Sequence, residues 1–179
     1  MITVQIKNMD TVVKRFSDMQ KRAMSPAPAM AVVTNKAYKH VIQHFEDEQG
    51  PTGKWASLKG PRYFADIGKI TDAPRPKGKG KILQDQGMLR GSIKPRVLGN
   101  VGHVYTNKEY AAIHNYGGNV PARFPNRKKM LRWGSGGKWV FAKSAAAFKM
   151  SQRKFLWLSD EFVNRALTML AKYISEGML

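Results

Sequence analysis

Leu83-Gln-Asp-Gln-Gly87-Met-Leu89-Arg-Gly-Ser92-Ile93-Lys-Pro-Arg-Val-Leu98-Gly-Asn-Val101-Gly-His-Val-Tyr105 lies at the middle of a chain of 179 residues. Gly87 permits a turn that an ordinary residue would strain. The residues up to Ser92 read as that turn plus a short helix. Ile93 to Leu98 and Val101 to Tyr105 then read as two strands joined at Gly99-Asn100, a tight hairpin. Strands joined this closely are antiparallel, because a parallel pair needs a crossover of a dozen residues or more. The centre of the chain is therefore an antiparallel sheet and not a βαβ nucleotide fold.

Helical patterns flank this centre. Upstream, Asn8 or Asp10 caps a helix whose apolar residues Val12, Phe16, Met19 and Ala23 fall on one face. Ser25-Pro26 starts a second helix, with serine as cap and proline in the first turn, where its missing N–H costs nothing. This helix runs to about Glu48 with Met30, Val33, Ala37, Val41 and Phe45 as its buried stripe, and Gln49-Gly50-Pro51 ends it. Downstream, Tyr110 to Tyr116 reads as a helical turn or two, stopped by Gly117-Gly118. Met130 to Trp133 and Lys138 to Ala142 flank Ser135-Gly-Gly137 as a second hairpin. The last helix starts at Ser159, with Asp160 and Glu161 in its first turn, where negative charge suits the helix dipole. Its apolar face is Val163, Ala166, Leu167, Leu170 and Ile174. A short strand, Ile2, Val4 and Ile6, precedes everything. The expected class is α+β: an antiparallel sheet with N-terminal helices and a C-terminal helix packed on it, and long exposed loops. One domain is expected over residues 1–179, with a flexible basic loop at about 59–81 and a hairpin insertion at about 127–145.

Composition narrows the function. The formal net charge is +19, and ten lysines and arginines lie between Glu109 and Asp160 with no acidic residue among them. Such a chain repels itself unless a polyanionic or acidic partner neutralises it. There is no cysteine, so neither a disulfide framework nor a thiolate metal site is available. No apolar run approaches the roughly 20 residues that span a bilayer. The first seven residues lack the basic start and apolar block of a signal peptide. Assembly in a reducing cytoplasm, with no membrane partner, is the expectation.

Familiar chemistry is missing. None of the five Gly-Lys pairs has the upstream glycine and following hydroxyl of a phosphate loop. His40 and His44 share a helix face, but Val41 stands where a zinc protease needs glutamate, so a solvated face or a helix–helix contact is expected. His103 and His114 read as packing or hydrogen-bonding residues. Glu46, Asp47 and Glu48 are consecutive and do not converge on one point, although they could meet a basic surface of a neighbouring copy. No catalytic set, cofactor site or metal site is expected.

Four fragments stand above this background. The first runs from Phe45 through Pro51, Gly53 and Trp55 to Leu58, and turns the chain out of the long helix so that Trp55 and Leu58 fold back on the core. In the second, Leu83, Gly87, Leu89, Ser92 and Ile93 make a turn and plug the sheet. In the third, Tyr110 and Ile113 pack one side of a helical turn that Gly117 ends. The fourth, Arg153-Lys-Phe155-Leu156-Trp-Leu158-Ser159, seats the last helix. Pure fold maintenance accounts for every one. Their order and spacing resemble the phage virion-morphogenesis, or tail-completion, family, which includes the S-type proteins of contractile-tailed phages and the G-type proteins of Mu-like phages. Two departures stand out: Gln86 replaces a small hydroxyl residue, and Lys154 and Trp157 replace the family's proline and glycine.

The resemblance implies a structural assembly protein and no enzyme. It would act in the virion at the head–tail junction, as a homo-oligomer, commonly a ring of six, against neighbouring neck, tail-tube or connector proteins. Under that reading the basic residues Arg75, Lys77, Lys79 and Lys81, with Arg127, Lys128, Lys129, Arg132 and Lys138, would meet acidic protein faces or the genome DNA in the channel. The alternative from another class is a free nucleic-acid-binding protein, in which basic residues interleave with Trp133, Trp139 and Phe141 to track a backbone and stack on bases.

Overall fold

A computed structural model describes residues 8–56, 62–64, 69–71, 82–84, 87–122, 124, 131–135, 138–145 and 147–178. The expected strand of Ile2, Val4 and Ile6 lies outside these residues, as do Leu58, Gln86, Arg75, Lys77, Lys79, Lys81, Arg127, Lys128 and Lys129.

The fold is α+β. The helices are α1 (Met9–Met24), α2 (Ala27–Asp47), α3 (Met88–Ser92), α4 (Ala111–Tyr116) and α5 (Asp160–Glu176). The strands are β1 (Gln49–Gly50), β2 (Gly53–Lys54), β3 (Arg62–Phe64), β4 (Lys69–Thr71), β5 (Lys94–Leu98), β6 (Val101–Tyr105), β7 (Gly118–Val120), β8 (Leu131–Ser135), β9 (Lys138–Ala142) and β10 (Phe148–Met150). In place of one central sheet, the described strands form separate antiparallel two-stranded ladders: β1–β2, β3–β4, β5–β6, β7–β10 and β8–β9. No described strand exceeds five residues.

The chain divides into two compact units, one of Met1–Ile42, Ile93–Thr106 and Leu158–Leu179, the other of Gln43–Ser92 and Asn107–Trp157. In the first, Ser25 belongs to α1, not α2: its N–H bonds to Lys21 O at 3.1 Å, while Pro26 O accepts the first bond of α2 from Met30 N at 2.9 Å. The expected serine cap is thus one residue early, because the proline carbonyl itself fills the cap position. Ala29, Thr34, Ala37 and Val41 are buried along α2. The Thr34 hydroxyl donates to Met30 O at 2.6 Å. A Cβ on Gly102 of β6 would overlap that hydroxyl, so glycine is what lets β6 approach α2.

α5 starts as its sequence demands. Ser159 Oγ accepts from Phe162 N at 3.2 Å, and Asp160 and Glu161 occupy the first turn. Its end is capped from outside. Gly177 closes it at φ 78 with its N–H on Tyr173 O, and Arg22 of α1 donates to Ile174 O at 2.8 Å and to Ser175 O at 3.1 Å. A guanidinium there meets both the unpaired carbonyls and the negative end of the helix dipole. His40 of α2 completes the seat, stacking on Phe162 at 5.0 Å and accepting from Ser159 N at 3.4 Å. The helix–helix reading of His40 therefore holds. Leu158, expected to seat α5, is exposed.

The apolar faces of α1 and α5 depart from expectation. No residue of either helix is fully buried. Val12, Phe16, Val163 and Leu167 are all exposed, Phe16 to 66%. On α1 the better covered residues are Ser17, Asp18, Met19 and Arg22, the side from which Arg22 reaches α5. Periodicity reports that a helix is amphipathic, not that its own chain covers it.

Candidate functional site

The four motifs converge, within the second unit, around the end of α2. Glu48 stops the helix at φ 52, and its carbonyl accepts Trp55 N at 2.7 Å across the β1–β2 turn. Phe45 and Phe155 are completely buried and Trp55 nearly so. Phe45 meets Phe155 at 5.1 Å, tilted, and Trp55 edge-on at 5.6 Å. Trp55 Nε1 donates to Lys154 O at 3.2 Å, so the indole is satisfied where it is buried. Pro51 is exposed in the turn, and Gly53 takes φ 119.

The second motif is tied to the same helix end by its polar groups. Gln84 Nε2 donates to Phe45 O, Ile82 N donates to Glu48 Oε1, and Arg90 pairs with Glu46. Glu46 and Glu48 therefore have partners in their own chain. Gly87 takes φ 70, as a turn residue should. Leu89 and Ile93 are each buried, Leu83 is half-buried at φ 62, and Ser92 Oγ donates to Leu89 O at 2.7 Å.

The fourth motif has no helix or strand of its own, so its backbone groups must find partners elsewhere. Asn115 of α4, 2% exposed, accepts from Phe155 N at 3.0 Å and from Leu156 N at 2.9 Å. His44, also buried, donates from Nδ1 to Phe155 O at 3.1 Å and stacks on Trp157 at 4.5 Å. The solvated-face reading of His44 is thus replaced by a core one. Arg153 is 4% exposed; its backbone N–H goes to His114 O, and its guanidinium donates twice to Ala56 O, at 3.2 and 3.1 Å. In the third motif the buried side of α4 is Ala111 and Asn115, four residues apart. Tyr110 stands exposed, edge-on to His114, and Ile113 is half-buried. Gly117 has no substitute: φ is 69, and a Cβ would stand 2.9 Å from Gln152 N.

That His44, Asn115 and Arg153 are buried polar residues of the core escaped the sequence reading. Their signal was their position: each sits inside or beside a motif, among residues picked for being apolar. The arrangement joins chain segments and presents no reactive set. Among the described residues no group of three histidines, cysteines or carboxylates could hold a metal ion. No described helix is long and apolar enough to cross a membrane.

Two histidines give the fold a pH dependence. Burial lowers the His114 imidazole below its ordinary value of 6.5, and Arg153 adds to the fall. Burial also lowers His40, with Arg165 adding and Glu161 opposing. The unfolded chain therefore binds more protons below about pH 6.5, so stability is full above that pH and falls as pH drops toward the folded-state values. The expected result is a lower urea midpoint at about pH 5.5 than at about pH 7.5. His40→Gln with His114→Gln should flatten that difference; an unchanged difference would refute the assignment.

Of the basic residues singled out, Arg132 and Lys138 have described backbone. Arg132 pairs with Phe141 and Lys138 with Ser135. Cross-strand partners share a face and neighbours along a strand alternate. Both residues lie within the described β8–β9 ladder. The β5–β6 hairpin, expected from sequence for its fold alone, combines basic and aromatic residues. β5 and β6 alternate between half-buried and exposed. The exposed face carries Lys94 opposite Tyr105, Arg96 opposite His103 and Leu98 opposite Val101. No described carboxylate pairs with Lys94 or Arg96.

No curated protein and no solved structure matches the chain. The phage virion morphogenesis family does, over residues 4–175. That span takes in all four motifs whose side chains meet at the end of α2, and the chain belongs to this family of structural phage assembly proteins.

Proposed function

We propose that this protein completes the head-proximal end of a phage tail and joins tail to head, as a ring of identical copies at the head–tail junction of the virion. Membership of the morphogenesis family carries the reading. The charge fits it. A chain of net charge +19 docks on the acidic faces of neighbouring neck, tail-tube or connector proteins, where charge supplies register and encounter rate more than affinity. Alternatively, the same surface borders the channel and holds the genome end through phosphate contacts.

Arg127→Glu with Lys129→Glu, expressed in place of the wild-type gene during infection, should block infectious particles while the purified protein stays folded. Electron microscopy should then show unjoined heads and tails. Normal yields of joined, DNA-filled particles would sink the proposal. Tight DNA binding by the isolated monomer, weakening steeply with salt, would favour the free nucleic-acid-binding alternative.

A further inference from the structure

The β5–β6 ribbon is covered on one face only. Its inner residues are half-buried, and a Cβ on Gly102 would overlap the Thr34 hydroxyl of α2. The pleat turns the alternate residues outward. The register sets Lys94 opposite Tyr105 and Arg96 opposite His103, with Leu98 opposite Val101 beside the turn. All six are exposed. Among the described residues, no hydrogen bond or ion pair occupies the side chains of Lys94, Arg96, His103 or Tyr105.

Every polar group on this face can donate. The Lys94 ammonium and the Arg96 guanidinium carry donors and no acceptor, and His103 and Tyr105 add a ring N–H and a phenolic O–H. The two cations stand about 7 Å apart along β5, each about 5 Å across the ladder from its ring. Residues 86–108 contain no carboxylate that would repel an anion. A folded acidic protein would meet this face with isolated carboxylates around an apolar centre, and lysine is depleted in such centres. Here the apolar pair, Leu98 and Val101, lies at the turn and away from the cations. A DNA strand instead supplies a phosphate about every 3.4 Å of its axis, and arginine, lysine and tyrosine are the side chains that bind it. With α2 behind it, the ribbon lies along a backbone rather than inside a groove, so the contact carries no base sequence information.

We infer that the outer face of the β5–β6 ribbon holds the phosphate backbone of duplex DNA through Lys94 and Arg96, with His103 and Tyr105 as further donors. This rests on the genome-contact branch of the proposed function and names its surface.

Fluorescence anisotropy with a labelled duplex of random sequence, read from about 50 to 200 mM salt, tests it. For the purified full chain, log K should fall linearly with log salt, with a dissociation constant of roughly 1–100 μM near physiological salt. Lys94→Gln with Arg96→Gln should weaken binding and make the slope shallower by about 2, one phosphate contact being lost with each cation. Lys14→Gln with Arg15→Gln on α1 removes the same charge elsewhere and should leave the slope near the parent's. All four residues are exposed, so both variants should keep the parent's circular dichroism and urea midpoint. An equal loss of slope in the two variants, or no binding by the parent at low salt, overturns the ribbon contact. A ribbon variant that binds DNA as the parent does, yet gives unjoined particles in infection, also overturns it and assigns the face to an acidic protein neighbour. The infection experiment with Arg127→Glu and Lys129→Glu decides the junction role separately.

Discussion

Asn115→Leu should destabilise the protein by about 2–6 kcal/mol, because one buried and one part-buried N–H group lose the acceptor they have among the described residues, at about 1–3 kcal/mol each. The acceptor is Asn115 Oδ1, and the donors are Phe155 N and Leu156 N. Leucine roughly preserves the volume of the side chain, so the loss reports hydrogen bonding more than a cavity. The effect is large because the 151–159 segment belongs to no helix or strand, so no ladder offers those amides another partner. Urea unfolding would measure the loss, and hydrogen exchange at Phe155 and Leu156 would locate it. A loss below about 1 kcal/mol, with both amides still protected, would mean that Asn115 does not hold the segment.

The elements that could be read in the sequence are those whose signal is local. The Gly99 turn, the Ser159 cap and the helical turn before Gly117 each depend on residues a few positions apart, and each is found. The fourth motif was legible as apolar residues at Phe155 and Leu156, but its polar support was not. His44 and Asn115 contact Phe155 from 111 and 40 residues away, and a helical period says that a polar residue faces inward but not which distant segment it meets. The same limit explains α1. A period of 3.6 found the stripe through Val12 and Phe16, yet nothing local says whether the chain itself or a neighbour covers such a stripe. The basic surface was legible only as composition. The register that gathers Lys94, Arg96, His103 and Tyr105 follows from strand pairing, which a one-residue shift would reverse.

Phe155→Ala should be among the most damaging single truncations in the second unit, costing about 3–5 kcal/mol. The side chain is fully buried and packs against Phe45, which in turn carries Trp55 edge-on. Its main chain is pinned by Asn115 and His44, so the segment is not free to collapse into the void. That rigidity places the cost toward the upper end of the range, since a cavity is expensive in proportion to what cannot relax around it. It is also a large share of the roughly 5–15 kcal/mol by which most domains are stable. Phe155→Leu is therefore the measurable companion, with a loss of about 1–2 kcal/mol expected for a smaller change of volume and shape. Phe45→Ala should cost about as much as Phe155→Ala, but the double variant should lose less than the sum, by about 0.5–3 kcal/mol, because the two rings share one contact and one cavity. Strict additivity in urea titrations of the single and double variants would show that the rings do not form one core. The meeting of the first and fourth motifs at Phe45 and Phe155 would then have no energetic meaning.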